Sequence, residues 1–119
     1  MARHNELGKK GEEEAQQFLR RLGFSILEQN WRFNKGEIDI IAQKENLLVF
    51  VEVKTRSSIV FGLPQDFVKH SQVKKVIEVA NAYVDQMDWQ GEIRLDIIAI
   101  HQNKEEINIE HLEDAFYFF

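Results

Sequence analysis

Two strand-like segments joined by a short polar break constrain the fold of this chain more than any other feature. Residues 37–42 begin by alternating charged and apolar side chains, and residues 47–54 form a nearly unbroken apolar run. Such patterns are typical of strands in a sheet that is covered by helices. A tight turn at Glu45-Asn46 would join the two segments into an antiparallel hairpin. The hairpin then determines which side chains share a face.

In that hairpin Asp39 lies opposite Glu52, and Glu37 lies opposite Lys54. Side chains that face each other across an antiparallel pair point to the same side of the sheet, with Cβ atoms about 4.5–5.5 Å apart. Two carboxylates at that distance repel each other unless a positive charge lies between them, and a divalent cation is the simplest candidate. For each residue taken singly, an ordinary ion pair such as Glu37–Lys54 is the alternative. A register shift of one residue would send Asp39 to the opposite face from Glu52.

The same register predicts how the two faces of the hairpin differ. One face is apolar throughout and is formed by Ile38, Ile40, Ala42, Val49, Val51 and Val53. The other face carries apolar side chains near the turn and the four charged residues at the far end. Because burying an unpaired charge costs several kcal/mol, we expect those charges to be paired or bound to a cation.

Asp39, Glu52 and Lys54 resemble the active-site signature of the PD-(D/E)xK nuclease superfamily. More narrowly, residues 36–42 (GEIDIIA) followed by residues 50–56 (FVEVKTR) are similar to the YraN-like family of uncharacterised bacterial proteins. The similarity extends over most of the chain and includes Gly8, Gly11, Glu12, Ala15, Gly23-Phe24, Asn30-Trp31-Arg32, Phe61-Gly62, Ala80, Arg94-Leu95-Asp96 and Ala115-Phe116. It implies a metal-dependent nuclease with a restriction-endonuclease-like core and with Holliday-junction resolvases as relatives.

The sequence departs from the pattern of that family at one position. A lysine commonly opens the second helix in the family, whereas this chain has Gln72 there, with Lys74 and Lys75 just beyond it. The departure leaves open whether a lysine of this helix has a role at the site.

The resemblance implies that Asp39 and Glu52, together with the carbonyl group of Val53, hold Mg²⁺ or Mn²⁺. Both ions are hard cations that prefer oxygen ligands. An acid on the first helix joins the metal site in resolvase-like relatives, and Glu12 occupies such a position here. The equal alternative is that Glu12 is a solvated helix acid within the acidic run 12–14.

Lys54 and Glu37 complete the predicted site. Lys54 would orient the attacking water or stabilise the charge that develops as a phosphodiester bond is hydrolysed. Glu37 would support the site by holding Lys54. The predicted activity is therefore that of a Mg-dependent endodeoxyribonuclease, with branched or structured DNA as the candidate substrate.

The other elements fit around the hairpin as one α/β domain over residues 1–119. Periodicity predicts helices at 6–22 and 65–86, strands at 24–30, 93–101 and 107–110, and a loop at 55–64. The core order α-β-β-β-α-β gives a mixed central sheet flanked by helices. The absence of cysteine excludes disulfides and thiolate metal sites. The apolar runs are too short to span a bilayer, so we expect a cytoplasmic protein without membrane association.

Charge is distributed unevenly along the chain. The net charge of −5 is unusual for a protein that binds nucleic acid. Residues 1–80 nevertheless contain 13 Lys/Arg and 11 Asp/Glu, whereas residues 81–119 contain 2 and 9. A phosphate-binding surface, for DNA rather than RNA, is therefore predicted in the first part, from Arg56, Lys9, Lys10, Arg32, Lys35, Lys74 and Lys75. The alternative is that these are ordinary solubilising charges.

Two other classes of function remain open. One is a nucleic-acid-binding module whose nuclease site is vestigial. The other is a subunit that docks a larger DNA-processing partner through its acidic tail and the aromatic residues 116–119. Those aromatic residues alternatively pack on the sheet or form a homodimer contact. Asp96 is expected to pair with Arg94 on the same strand face rather than to act in catalysis.

Overall fold

A computed structural model describes residues 2–56, 70–102 and 106–115. Within them the chain forms α1 (Ala2–Arg21), β1 (Ser25–Phe33), β2 (Gly36–Lys44), β3 (Leu47–Arg56), α2 (His70–Met87), β4 (Glu92–Gln102) and β5 (Ile107–Leu112). The predicted α/β architecture, a mixed central sheet flanked by helices, is confirmed. Most of the predicted loop at 55–64, the first residues of the predicted helix at 65–86 and the aromatic residues 116–119 lie outside the described residues.

The strands form one five-stranded sheet in the order β1-β2-β3-β4-β5. Neighbouring strands are antiparallel, except that β3 and β4 are parallel. Parallel neighbours cannot be joined by a tight turn, so the chain passes through α2 between them. Helix α2 packs on one face of the sheet against β2 and β1, whereas α1 packs on the other face. In the described part of the chain no helix is long and apolar enough to cross a membrane.

The β2–β3 hairpin has the predicted register. Its paired positions run from Lys44–Leu47 at the turn to Ile40–Val51. Glu45 has a left-handed φ of 54°, a conformation that tight hairpin turns use. The register therefore follows from the turn and from the packing of both faces, because a slip of one residue would move every side chain of the strand to the opposite face.

Each face of the sheet is covered by one helix. The cluster beneath α1 consists of buried side chains of α1, of strands β2, β3 and β4, and of Phe24, which lies between α1 and β1. Its members are Ala15, Leu19, Phe24, Ile40, Ala42, Val49, Val51, Ile98 and Ile100. The cluster beneath α2 includes Ile41, Leu48, Phe50, Val73, Val76, Val79, Ala80, Tyr83 and Ile97. A sheet covered in this way holds its strands rigidly and positions whatever lies at their ends.

One apolar residue of the hairpin lies on the other face from the predicted one. Ile38 packs in the cluster beneath α2, whereas Ile40 packs beneath α1, although two residues apart on a regular strand share a face. Asn30, on the neighbouring strand, has a left-handed φ of 51°. It lies between the paired positions Gln29–Ile40 and Trp31–Ile38. The regular alternation is therefore interrupted beside Asp39.

A buried charge cluster ties β4, β5 and the following turn together. Asp96 is fully buried and accepts two hydrogen bonds of 2.9 Å from Arg94. It also accepts one from the backbone NH of Asp114 at 2.9 Å, and its other oxygen lies 2.7 Å from Nε2 of His111. Burial alone raises the pKa of Asp96, but the bonds from His111, Arg94 and Asp114 outweigh it and hold the pKa below its ordinary value. The predicted Arg94–Asp96 ion pair is confirmed.

Replacing Asp96 with Asn should destabilise the fold at pH 7 by about 3 kcal/mol, because a buried charge network loses its buried carboxylate. Glu113→Gln is the matched control, since Glu113 also contacts Arg94, at 2.8 Å, but is 61 % exposed. The control should cost less than about 1 kcal/mol. Urea unfolding of the three proteins measures this, and equal losses in the two variants would contradict the role given to Asp96.

Candidate metal centre

The candidate site lies where β2 and β3 part. The paired positions of the two strands extend as far as Ile40–Val51. Just beyond them, Oδ2 of Asp39 accepts a hydrogen bond of 2.8 Å from the backbone NH of Val53. A side-chain carboxylate thus satisfies a backbone donor of β3, which directs Asp39 toward that strand. The predicted closeness of Asp39 to Glu52, the residue before Val53, depends on this hydrogen bond.

Glu52 is the most unusual residue of the site, because only 5 % of its surface is exposed. Its Oε2 accepts a hydrogen bond of 3.3 Å from Nε2 of Gln72, on α2. Its Oε1 is buried and has no hydrogen-bond partner among the described residues. Burial and then the charge of Asp39 raise the pKa of Glu52 to about 8, against a smaller opposing effect of Lys54.

Asp39 is perturbed in the same direction. Burial raises its pKa most, and the charge of Glu37 adds to that effect. The hydrogen bond from Val53 and the charge of Lys54 act in the opposite direction. Asp39, Glu52 and Lys54 therefore lie close enough together to influence one another electrostatically, and their predicted roles at a metal site stay predictions.

The two buried carboxylates are chemically suited to a divalent cation. An unpartnered buried oxygen is costly, and two neighbouring acids are costlier, unless a positive charge approaches both. Oxygen donors match Mg²⁺ and Mn²⁺. However, within residues 2–56, 70–102 and 106–115 no three His, Cys, Asp or Glu side chains converge as a ready-made metal cage. Mg²⁺ usually needs only one or two carboxylates, with water and substrate phosphate as its other ligands. The pair is therefore compatible with that ion.

Glu12 approaches this pair from α1. Its carboxylate is hydrogen-bonded by the side chain of Asn30, and it is near enough to Asp39 and Glu37 to sense their charges. Burial and then Asp39 raise its pKa, and Asn30 opposes them. Glu12, Glu37 and Asp39 thus form an acidic cluster, and the predicted part of Glu12 in a metal site stays a prediction.

Glu37 makes a different contact from the predicted one. It does not hold Lys54 but pairs with Arg32, whose Nε lies 2.9 Å from Oε2 of Glu37. Arg32 and Glu37 lie directly opposite each other on β1 and β2. Glu37 therefore reaches Arg32 more easily than it reaches Lys54 on β3. It also means that Arg32, predicted to bind phosphate, already has an anionic partner.

The other predicted basic residues lie in separate places. Lys9 and Lys10 are exposed on α1, and Lys74 and Lys75 are exposed on α2. Lys35 and Lys75 line one groove, between the β1–β2 turn and α2, whereas Lys9 lines another groove beside Glu12. Arg56 ends β3, and its side chain lies outside the part of the chain that the structure describes. The basic groups are thus distributed over both helices rather than gathered in one groove.

Two polar residues of the site were not predicted. Gln72 holds Glu52, and Asn30 holds Glu12. Gln72 stood out only as a departure from a family pattern, and no local pattern tied it to Glu52. For Asn30 a signal exists, since asparagine tolerates the left-handed backbone better than most residues, but its contact with α1 is set by the tertiary fold.

Comparison with known proteins identifies the family. Residues 11–100 match the model of the family described as "Uncharacterised protein family UPF0102". The chain belongs to this family. A UPF0102 protein of Flavobacterium psychrophilum is 59 % identical over 119 residues, which cover 100 % of both chains. A relative in Flavobacterium johnsoniae is 54 % identical, over 100 % of both chains. A relative in Bacteroides thetaiotaomicron is 42 % identical, over 98 % of this chain and 97 % of the relative. The resemblance to the YraN-like family is confirmed.

The buried acid should make the metal-free protein less stable as the pH rises. Because the folded-state pKa of Glu52 is about 8 and its ordinary value is 4.5, the folded protein keeps a proton that the unfolded chain releases. In EDTA the free energy of unfolding should therefore fall between pH 4.5 and pH 8, by at most about 1.4 kcal/mol per pH unit from this group. Urea unfolding across this range measures the slope.

Glu52→Gln should flatten that slope and should raise stability at pH 8, since it removes the buried charge. Glu13→Gln removes an equal charge from an exposed position of α1 and should leave the slope unchanged. If the parent and Glu52→Gln show the same pH dependence, Glu52 does not titrate as described.

Proposed function

We propose that this protein is a metal-dependent endonuclease that hydrolyses phosphodiester bonds in DNA, with branched or structured DNA as the candidate substrate. The observation that supports the proposal most is the buried oxygen of Glu52, which lacks a partner and lies beside a second perturbed acid, Asp39. Such an arrangement lowers stability in the absence of a cation. It is therefore better explained by a binding function than by a structural one.

Mg²⁺ or Mn²⁺ would be held by Asp39 and Glu52, with the carbonyl group of Val53 and the nearby Glu12 as the remaining protein donors. When bound, the ion would polarise a phosphoryl oxygen and acidify a water molecule. Gln72 fixes Oε2 of Glu52, which leaves Oε1 as the oxygen available for a ligand.

Lys54 supplies the positive group of the site. Its charge lowers the pKa of both Asp39 and Glu52, so the ammonium group is within electrostatic range of the two carboxylates. An ammonium group with several donors can orient an attacking water and can donate to the phosphoryl oxygen on which negative charge develops. Such a group acts only where the phosphate is also positioned, which would be the task of the basic residues on α1 and α2.

The basic residues Lys9, Lys10, Lys35, Lys74, Lys75 and Arg56 would contact DNA phosphates on either side of the site. Their number is modest and the whole chain is acidic, with a net charge of −5. We therefore expect affinity for DNA that is moderate and strongly dependent on salt.

A second candidate function is favoured by one observation. The described residues contain no ready-made group of three metal-binding side chains. A nucleic-acid-binding module with a vestigial nuclease site, or a subunit of a DNA-processing complex, would require no such group. This alternative predicts binding of DNA without cleavage by the isolated chain.

A panel of labelled DNAs that contains a four-way junction, a flap, a duplex and a single strand tests the proposal. Cleavage should require Mg²⁺ or Mn²⁺ and should be absent in EDTA. Asp39→Asn, Glu52→Gln and Lys54→Ala should each reduce the rate by at least about a hundredfold, because residues that act as a unit lose most of the effect together. Glu110→Gln, which removes a charge from an exposed position of β5, should cleave like the parent.

Full activity in EDTA, or in Glu52→Gln, would contradict the nuclease proposal. Binding of the panel without cleavage in any metal would instead support the second candidate function.

A further inference from the structure

A groove beside the acidic cluster has a lining that the proposed chemistry does not use. It lies between the first half of α1 and β1, has a volume of about 400 Å³ and is lined by Lys9, Glu12, Glu13, Gln16, Gln29 and Asn30. This volume is in the range of about 300–1,000 Å³ that small-ligand pockets occupy.

The lining of the groove favours a neutral, hydrogen-bonding ligand over an anionic one. Its charged side chains are one lysine and two glutamates, so a phosphate group would meet net negative charge. Its other polar side chains are the amides of Gln16, Gln29 and Asn30. Each amide offers both donors and an acceptor, as do the edges of nucleobases.

Backbone geometry brings two of these amides to the same side of the sheet. Successive side chains of a regular strand point to opposite faces, yet Gln29 and Asn30 both line this groove. The left-handed φ of 51° at Asn30 accounts for the exception. The left-handed backbone of Asn30 is thus the feature that gives the groove two neighbouring amides.

Glu12 links the groove to the candidate metal centre. Glu12 forms part of its wall, is hydrogen-bonded by Asn30 and senses the charge of Asp39. A nucleotide in the groove would therefore be adjacent to a phosphate held at Asp39 and Glu52.

We propose that the groove between α1 and β1 binds an unpaired nucleobase next to the scissile phosphodiester bond. The proposal rests on the proposed function, because it requires DNA to lie across the acidic cluster. It narrows the substrate class to DNA with an unpaired nucleotide near the cleaved bond, such as a flap, a single-stranded tail or a frayed junction. In a fully paired duplex the Watson–Crick edges are engaged with each other and the bases are stacked, so a base cannot enter the groove.

The test compares two versions of one DNA, a duplex with a short single-stranded tail. In the second version the tail carries abasic sites, so the phosphates are kept and the bases are removed. Binding is measured by fluorescence anisotropy in Ca²⁺, a cation with the same preference for oxygen ligands, and a gel afterwards checks that the DNA is intact. The parent should bind the tail with bases about tenfold more tightly than the abasic tail.

Gln29→Ala should reduce that preference to less than about twofold and leave binding of the abasic tail unchanged. Gln17→Ala is the matched control, because Gln17 is an exposed residue of α1 that does not line the groove. It should keep the full preference. Asn30→Gly, which permits the left-handed backbone, should weaken the preference as well.

Equal affinity of the parent for the two tails would overturn the base-binding proposal, and metal-dependent cleavage would be unaffected by that result. Equal loss in Gln29→Ala and Gln17→Ala would overturn it too. A preference for bases without cleavage in any metal would retain the base site and contradict the nuclease proposal. Absence of binding to all of these DNAs would contradict both.

Discussion

The closeness of the carboxylates of Asp39 and Glu52 in a poorly solvated place is the constraint on which the rest of the site depends. Both acids lie at the point where β2 and β3 part, and each is held by one hydrogen bond, from Val53 and from Gln72 respectively. Burial raises the pKa of both, and the charge of a neighbouring acid adds to it, Glu37 for Asp39 and Asp39 for Glu52. The apolar clusters on the two faces of the sheet supply the stability that offsets this cost, since they fix the strands from which the acids project.

The two helices contribute to the site from opposite faces. Helix α1 brings Glu12 toward Asp39, and helix α2 brings Gln72 to Glu52. Neither helix alone could form the site, because Asp39 and Glu52 come from β2 and β3, which lie between the two helices. In the middle of β4, the network around Asp96 has the reverse electrostatics, because a cation, a histidine and a backbone NH satisfy the carboxylate and lower its pKa. Asp96 thus stabilises the fold, whereas Glu52 keeps one oxygen without a hydrogen-bond partner among the described residues.

Local patterns in the sequence predicted the elements, the hairpin register and the Arg94–Asp96 pair, because alternation and turn position act over a few residues. They did not predict that Ile38 packs beneath α2, where Asn30 on the neighbouring strand has a left-handed backbone. They also gave Glu37 the wrong partner, as the register of β1 with β2 places Arg32 beside it. Contacts between side chains from distant elements, such as Gln72 with Glu52, are fixed only once the helices have packed.

The thermal stability of the protein with and without Mg²⁺ or Mn²⁺ tests most directly whether Asp39 and Glu52 share one cation. An ion that binds only the folded protein should raise the melting temperature, by several degrees at a concentration of about a hundred times its Kd. The rise should be present in Glu13→Gln and nearly absent in Glu52→Gln and Asp39→Asn. If the ion shifts the melting temperature of Glu52→Gln as much as that of the parent, or shifts neither, the two carboxylates do not form a metal site.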